Sequence, residues 1–179
     1  MDWLTRLTQR QHGEGQRLTA LLVGQVIFWI GFPLFIVAGS SHIDIWLHLP
    51  RFIYGLANSI AALLLIVPGG LFAEWSVYVQ FSLGRGTPLP VVATRRLIIE
   101  RPYTYCRNPM ALGTTMVYLG VAVWIGSLSA IGLACIYPSV IVLYTKLFEE
   151  TELEKRFGAE YLEYKKQTPF VIPRLWRRR

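Results

Sequence analysis

Apolar residues gather in four long runs, separated by polar stretches of unequal length. The first, LTALLVGQVIFWIGFPLFIVAG (residues 18–39), has 22 residues and would reach about 33 Å as a helix, enough to cross the hydrocarbon core of a bilayer. The second, FIYGLANSIAALLLIVPGGLFA (residues 52–73), continues into EWSVYVQF. The third, ALGTTMVYLGVAVWIG (residues 111–126), is barely long enough to cross. The fourth, AIGLACIYPSVIVLYTKLF (residues 130–148), follows after only SLS, so the last two runs predict a tight antiparallel helical hairpin. The pattern predicts an all-α membrane protein with four transmembrane helices in a single integral membrane domain. Its parts are an N-terminal helix pair (1–83), a motif-bearing loop (84–110), the hairpin (111–148) and a tail of short helices (149–179). A signal peptide is the lesser reading of run 18–39, because its apolar core exceeds the usual ~7–15 residues.

Interruptions in the runs refine this picture. Pro68-Gly69-Gly70 predicts a break in the second helix, and Pro138 a kink in the fourth. Backbone groups freed at membrane depth need protein or water as partners, so the interruptions point either to a cavity or simply to adjusted packing. Gly55, Ser59 and Ala62 make a small-residue face suited to close helix contact.

Composition agrees with a lipid environment. Apolar residues make up 53% of the chain and charged residues 16%, against the roughly 25% charged usual in soluble domains. The formal charge of +7 would suggest a nucleic-acid partner in a soluble protein. Here the cations cluster where topology asks for them. Arg6, Arg10 and Arg17 precede the first run, and Arg85, Arg95, Arg96, Arg101 and Arg107 lie between the second and third. Lys155, Arg156, Lys165, Lys166, Arg174 and the terminal RRR follow the fourth, whereas SSHIDIWLHLPR offers only Arg51 and SLS none. Four crossings with both termini cytoplasmic fit this asymmetry, and the basic balance reads as topology and contact with anionic membrane lipids. No nucleic-acid role is expected. Cys106 and Cys135 form no metal-ligand or disulfide framework, and His12, His42 and His48 form no metal motif, so no metal is expected.

The chemistry concentrates in two polar segments. The loop GRGTPLPVVATRRLIIERPYTYCRNPMALG is too long for a mere connection. The tail FEETELEKRFGAEYLEYKKQTPFVIPRL opens on two carboxylates at the membrane edge. Leu153 and Phe157 share a face of one short helix, Gly158 suits its C-terminal cap, and Tyr161 and Tyr164 give a second short helix an aromatic edge before Pro169. The tail is expected to fold over the loop as a lid, with an amphipathic helix lying on lipid as the alternative.

RPYTYCRNPMALG, then EETELEKRFGAEYLEY, then TPFVIP follow the order and spacing of the isoprenylcysteine carboxyl methyltransferase and phospholipid methyltransferase superfamily of membrane enzymes, which the chain resembles over about residues 84–173. The resemblance implies S-adenosylmethionine held between loop, hairpin and tail. Carried over by position, the cofactor contacts fall on Arg95, Arg96, Leu97 and Ile98, on Tyr103, on Asn108, Pro109, Met110 and Ala111, and on Glu149. Two positions depart from the family pattern: Asn108 stands where histidine is commoner, and Ala111 where a tyrosine is usual.

The residue types suit that ligand. Glu149 or Glu150 could hold its ammonium or ribose, Arg95 or Arg96 its carboxylate, and Leu97, Ile98 and Tyr103 could wall its adenine. The activity implied is methyl transfer to a lipophilic small-molecule, lipid or lipidated acceptor arriving from the bilayer, with the reactants held in line and water excluded. A carboxylate or thiolate acceptor needs no base. A neutral amine or thiol would need one, and Glu150 or Glu74 are the candidates. Arg107 is expected either to position an anionic acceptor or to pair with a tail glutamate. The competing class is an inactive relative serving as a membrane scaffold or lipid-binding subunit, for which Asn108 and Ala111 speak.

Overall fold

The computed structural model describes residues 13–52, 55–84, 94 and 96–173, and every described segment of regular structure is helical. α1 (Glu14–Val26), a π-turn (Ile27–Gly31) and α2 (Phe32–Leu47) form one unbroken helical rod. α3 (Leu56–Ser82) and α4 (Pro109–Ile125) follow. α5 (Leu128–Tyr144) runs through a second π-turn (Thr145–Glu149) directly into α6 (Glu150–Phe157), and α7 (Ala159–Gln167) ends the helical part. Three of these rods are long and apolar enough to span a membrane, and α4 is a shorter apolar helix. Their outward faces are greasy: Leu34, Phe35, Leu64, Leu71, Val140 and Leu143 are all exposed. Lipid satisfies such faces, as water could not.

Several boundaries differ from the sequence expectation. The first rod continues to Leu47, so SSHIDIWL is helix and not loop. At 34 residues the rod exceeds the ~20 needed for a perpendicular crossing, so it must tilt or protrude. Pro33 explains its π-turn: proline cannot donate to the carbonyl one turn back, and widening the preceding turn accommodates the loss. Pro68, by contrast, does not break α3, which passes through it as one helix. Close packing along its length holds it. A Cβ on Gly113 would sit 2.5 Å from the Gly69 carbonyl oxygen, and one on Gly120 would sit 3.0 Å from the Ala62 carbonyl. The two backbones therefore touch, as small-residue faces permit. Ala62 belongs to that face, while Gly55 lies outside the helix as its N-cap with φ of 59°.

The hairpin forms as expected. Gly126 adopts φ of 63° to end α4, and the Ser127 hydroxyl accepts from the Ala130 amide to begin α5. Tyr118, Tyr137, Phe32 and Phe28 stack between the rods, and the Tyr118 hydroxyl donates to the Phe28 carbonyl inside the π-turn. The hairpin end of the bundle is closed by Asp44, which accepts from Ser129 at 2.5 Å and faces Arg51 at 3.8 Å. Everything chemically interesting collects at the opposite end.

Candidate active site

Loop and tail meet at one end of the bundle. The Arg107 guanidinium donates to Glu150 at 2.5 Å, and Lys165 reaches the other Glu150 oxygen at 2.7 Å and Glu154 at 2.8 Å. The Arg107 and Asn108 amides donate to the Pro169 and Phe170 carbonyls, so residues 168–172 run as a strap across the start of α4. Arg107 and Lys146 each lie 5.4 Å from the Phe170 ring centre. The Tyr164 hydroxyl donates to the Tyr103 carbonyl, and Arg156 donates to the Thr94 carbonyl. Gly158 caps α6 and turns the chain into α7, the geometry expected of a lid.

Beneath this lid lies a polar cavity of about 80 Å³ lined by Gln80, Thr94, Leu97, Ile98, Tyr103, Arg107, Asn108, Thr145, Glu149, Leu153, Tyr161 and Tyr164. The two glutamates at the cavity edge have separate surroundings, because adjacent helical positions point about 100° apart. Glu150 turns inward to the Arg107–Lys165 clasp and is buried. Glu149 lines the cavity, accepts from the Thr145 hydroxyl at 3.2 Å, and has no Lys or Arg within ion-pair distance among the described residues. Arg107 presents a buried Nε with no hydrogen-bond partner. An unpaired carboxylate and an orphaned guanidinium donor thus share one small polar chamber. Burial pushes the Tyr103 and Tyr164 phenols well above their ordinary range and the Cys106 thiol up to about 11, so all three stay neutral near pH 7.

A second cavity, of about 390 Å³, lies on the other side of Asn108. It is lined by Asn108, Ala111 and Thr115 of the α4 face, by Pro138, Ile141 and Val142 of α5, and by the strap residues Pro169 to Ile172. Asn108 is the residue common to both chambers.

The structure therefore brings Leu97, Ile98, Tyr103, Arg107, Asn108 and Glu149 to the polar cavity. It does not bring Arg96, which binds the Leu83 carbonyl and Glu100 at the end of α3. Pro109 and Met110 line neither chamber, Ala111 lines the apolar chamber and not the polar one, and Arg95 lies outside the described residues. Glu74 also lines neither; it accepts from Gln25 and Trp29, tying α3 to the first rod. Sequence reasoning missed Gln80 and Thr145. Gln80 is a polar position near the end of an apolar helix, and Thr145 stands one turn before Glu149.

The phospholipid methyltransferase family model matches residues 57–160, which carry α3, the motif loop, the hairpin, α6 and the start of α7. Methanethiol S-methyltransferase 2 of Bradyrhizobium diazoefficiens is 29% identical over 170 residues, covering 92% of this chain. The chain spans 62% of that relative's length. The family match covers more than half of the chain, including all of the polar cavity's lining except Tyr161 and Tyr164, and the chain belongs to the phospholipid methyltransferase family of membrane methyltransferases.

Proposed function

We propose that the protein is an S-adenosylmethionine-dependent methyltransferase whose polar chamber holds the cofactor and whose apolar chamber holds a lipophilic acceptor. The observation that carries this reading is the meeting of an ionic and an apolar chamber at a single residue, Asn108. The donor set fits the cofactor: Glu149 is free to hold an ammonium or ribose hydroxyls, and the Arg107 Nε is free for a carboxylate. Tyr103, Leu97, Ile98 and Leu153 offer flat and apolar walls for a base. At about 80 Å³ the chamber falls below the ~300–1,000 Å³ of ordinary ligand sites, so a nucleoside enters only when α6, α7 and the strap draw back.

When bound, the cofactor supplies an activated methyl group on a sulfonium. The chain's own contribution is alignment and exclusion of water. Asn108 and the strap hold the two chambers in register, and Tyr103 and Tyr164 close the polar side as neutral groups. Glu150 and Arg107, candidates for acid–base work and acceptor positioning, serve here as the ionic clasp that docks the lid. The relative's name, a methanethiol S-methyltransferase, favours a thiol acceptor, which as its thiolate needs no base from the protein. The motif end faces the cytoplasm in this reading, supported by Arg96, Arg101, Lys146, Lys155 and Lys166 there against Arg51 at the hairpin end.

Purified protein incubated with methyl-labelled cofactor and membrane extract tests this. Label is expected in a lipophilic fraction, and Glu149→Gln should weaken cofactor binding about tenfold to a hundredfold, the ~1.5–3 kcal/mol of a hydrogen bond to a charged group. No cofactor affinity and no label transfer would instead favour the inactive scaffold.

A further inference from the structure

The apolar chamber carries chemical information that the polar one does not. Among its lining residues none is charged, and its only side-chain polar groups are Asn108 and Thr115. Both are already engaged: the Asn108 amide nitrogen donates to the Phe170 carbonyl, and the Thr115 hydroxyl donates to the Ala111 carbonyl at 2.7 Å. Among the described residues, Arg107 and Lys146 lie against the Phe170 ring and line no part of this chamber. A phosphodiester headgroup placed inside would lose its hydration with no cation among the described lining residues to replace it, which costs several kcal/mol.

Asn108, Ala111 and Thr115 stand at successive turns of one α4 face, so each contributes one level of the chamber wall. Asn108 marks the level shared with the polar chamber, where a transferred methyl would pass. Ala111 is the next level in. Its methyl group is the smallest side chain along that face, and the rest of the lining includes the bulky Ile141, Val142 and Phe170. Any larger residue at 111 would take volume from the chamber.

We propose that Ala111 is the residue that sets the size of the methyl acceptor, and that the chamber admits an apolar, short-chain acceptor and rejects phosphate-bearing headgroups. The inference rests on the methyltransferase reading and deepens it. In the transfer the acceptor's nucleophilic atom forms the new bond to methyl. The bond from methyl to the cofactor's sulfur breaks, with its electron pair staying on that sulfur. A thiol acceptor gives its proton to bulk water before it enters and reacts as the thiolate, whose charge cancels that of the sulfonium, so both products leave neutral. An amine acceptor would leave a cation there.

The test is an acceptor series on the purified protein in detergent with methyl-labelled cofactor: linear alkanethiols of increasing length, short primary amines, and phosphatidylethanolamine in mixed micelles. Short alkanethiols are expected to accept label, with phosphatidylethanolamine at least a hundredfold poorer. Ala111→Leu should move the length optimum to shorter thiols, cutting kcat/KM for the longest accepted thiol at least tenfold more than for the shortest. Val142→Ala, which trims another residue of the lining, should move it the other way and guards against a misfolded Ala111→Leu. Phosphatidylethanolamine labelled as fast as the thiols, or equal loss across all lengths with both variants, would overturn the proposal while leaving the methyltransferase intact. Failure of the unaltered protein to bind cofactor at all would instead remove the methyltransferase reading, and this inference with it.

Discussion

Glu149 and Glu150 are neighbours in sequence with opposite surroundings, and the difference is measurable. Glu150 is buried between Arg107 and Lys165, so Glu150→Ala leaves a buried guanidinium unpaired, a loss of about 3–5 kcal/mol. The expected result is a lower unfolding temperature in detergent and faster proteolysis of the tail. An unchanged melting temperature with lost activity would mean that Glu150 acts in the chemistry instead. Cys106 offers a second contrast. Its side chain is fully buried and its pKa is pushed up to about 11 by that burial. Maleimide at pH 8 should leave it unmodified in the folded protein and label it only after denaturation, whereas rapid native labelling would show that the loop is not packed as described. Family resemblance put Glu149 among the cofactor contacts, but residue type alone left the two glutamates interchangeable, because which of them meets Arg107 and Lys165 is decided by how the tail packs on the loop. Arg96 shows the reverse problem: its type and position suited a carboxylate partner in the site, but the Leu83 carbonyl at the end of α3 and the nearby Glu100 carboxylate claimed it.

Among the helices, what the hydrophobic pattern could reveal was the number of apolar rods and the hairpin between the last two. Lengths were harder to read. Polar residues such as Asp44 and Ser40 remain helical past the apolar run because Ser129 and Arg51 supply partners across the bundle. Pro68 was expected to break its helix, and tight backbone contact with α4 keeps it whole. That contact makes a prediction. Gly113→Leu forces a side chain into the Gly69 carbonyl and Ala73, and overpacking of this kind costs about 1–3 kcal/mol. The helices should separate enough to lower thermal stability, while Gly132→Leu, where a Cβ meets nothing within 4 Å, should not. Equal stability of the two variants would contradict the packing.

For the molecule as a whole, a membrane bundle presents a loop and a tail at one end, and these fold into a lid over two chambers. The acidic start of the tail and the arginine-bearing loop were recognisable from motif order, and the structure places them in contact. The Pro138 interruption pointed to a cavity or to adjusted packing, but the make-up of the apolar chamber was not recognisable, because Ala111, Pro138 and Val171 come from separate segments whose meeting no local pattern encodes. Lid closure should tolerate ordinary changes in pH. The Lys165 ammonium is held above its usual 10.5 by the hydrogen bonds it donates to Glu150 and Glu154. A raised pKa stabilises the closed form below the unfolded value and is lost only as pH rises through the folded one. Tail protection against protease is therefore expected to stay flat from about pH 6 to 9 and to fall only above the usual lysine range.

Hydrogen–deuterium exchange of the purified protein, with and without S-adenosylhomocysteine, tests the central claim most directly. If one ligand is enclosed by both polar segments, exchange should slow together in residues 96–108 and 145–168, and Glu149→Gln should diminish both effects in parallel. Slowing in one segment alone, or in neither at saturating ligand, would contradict a shared chamber.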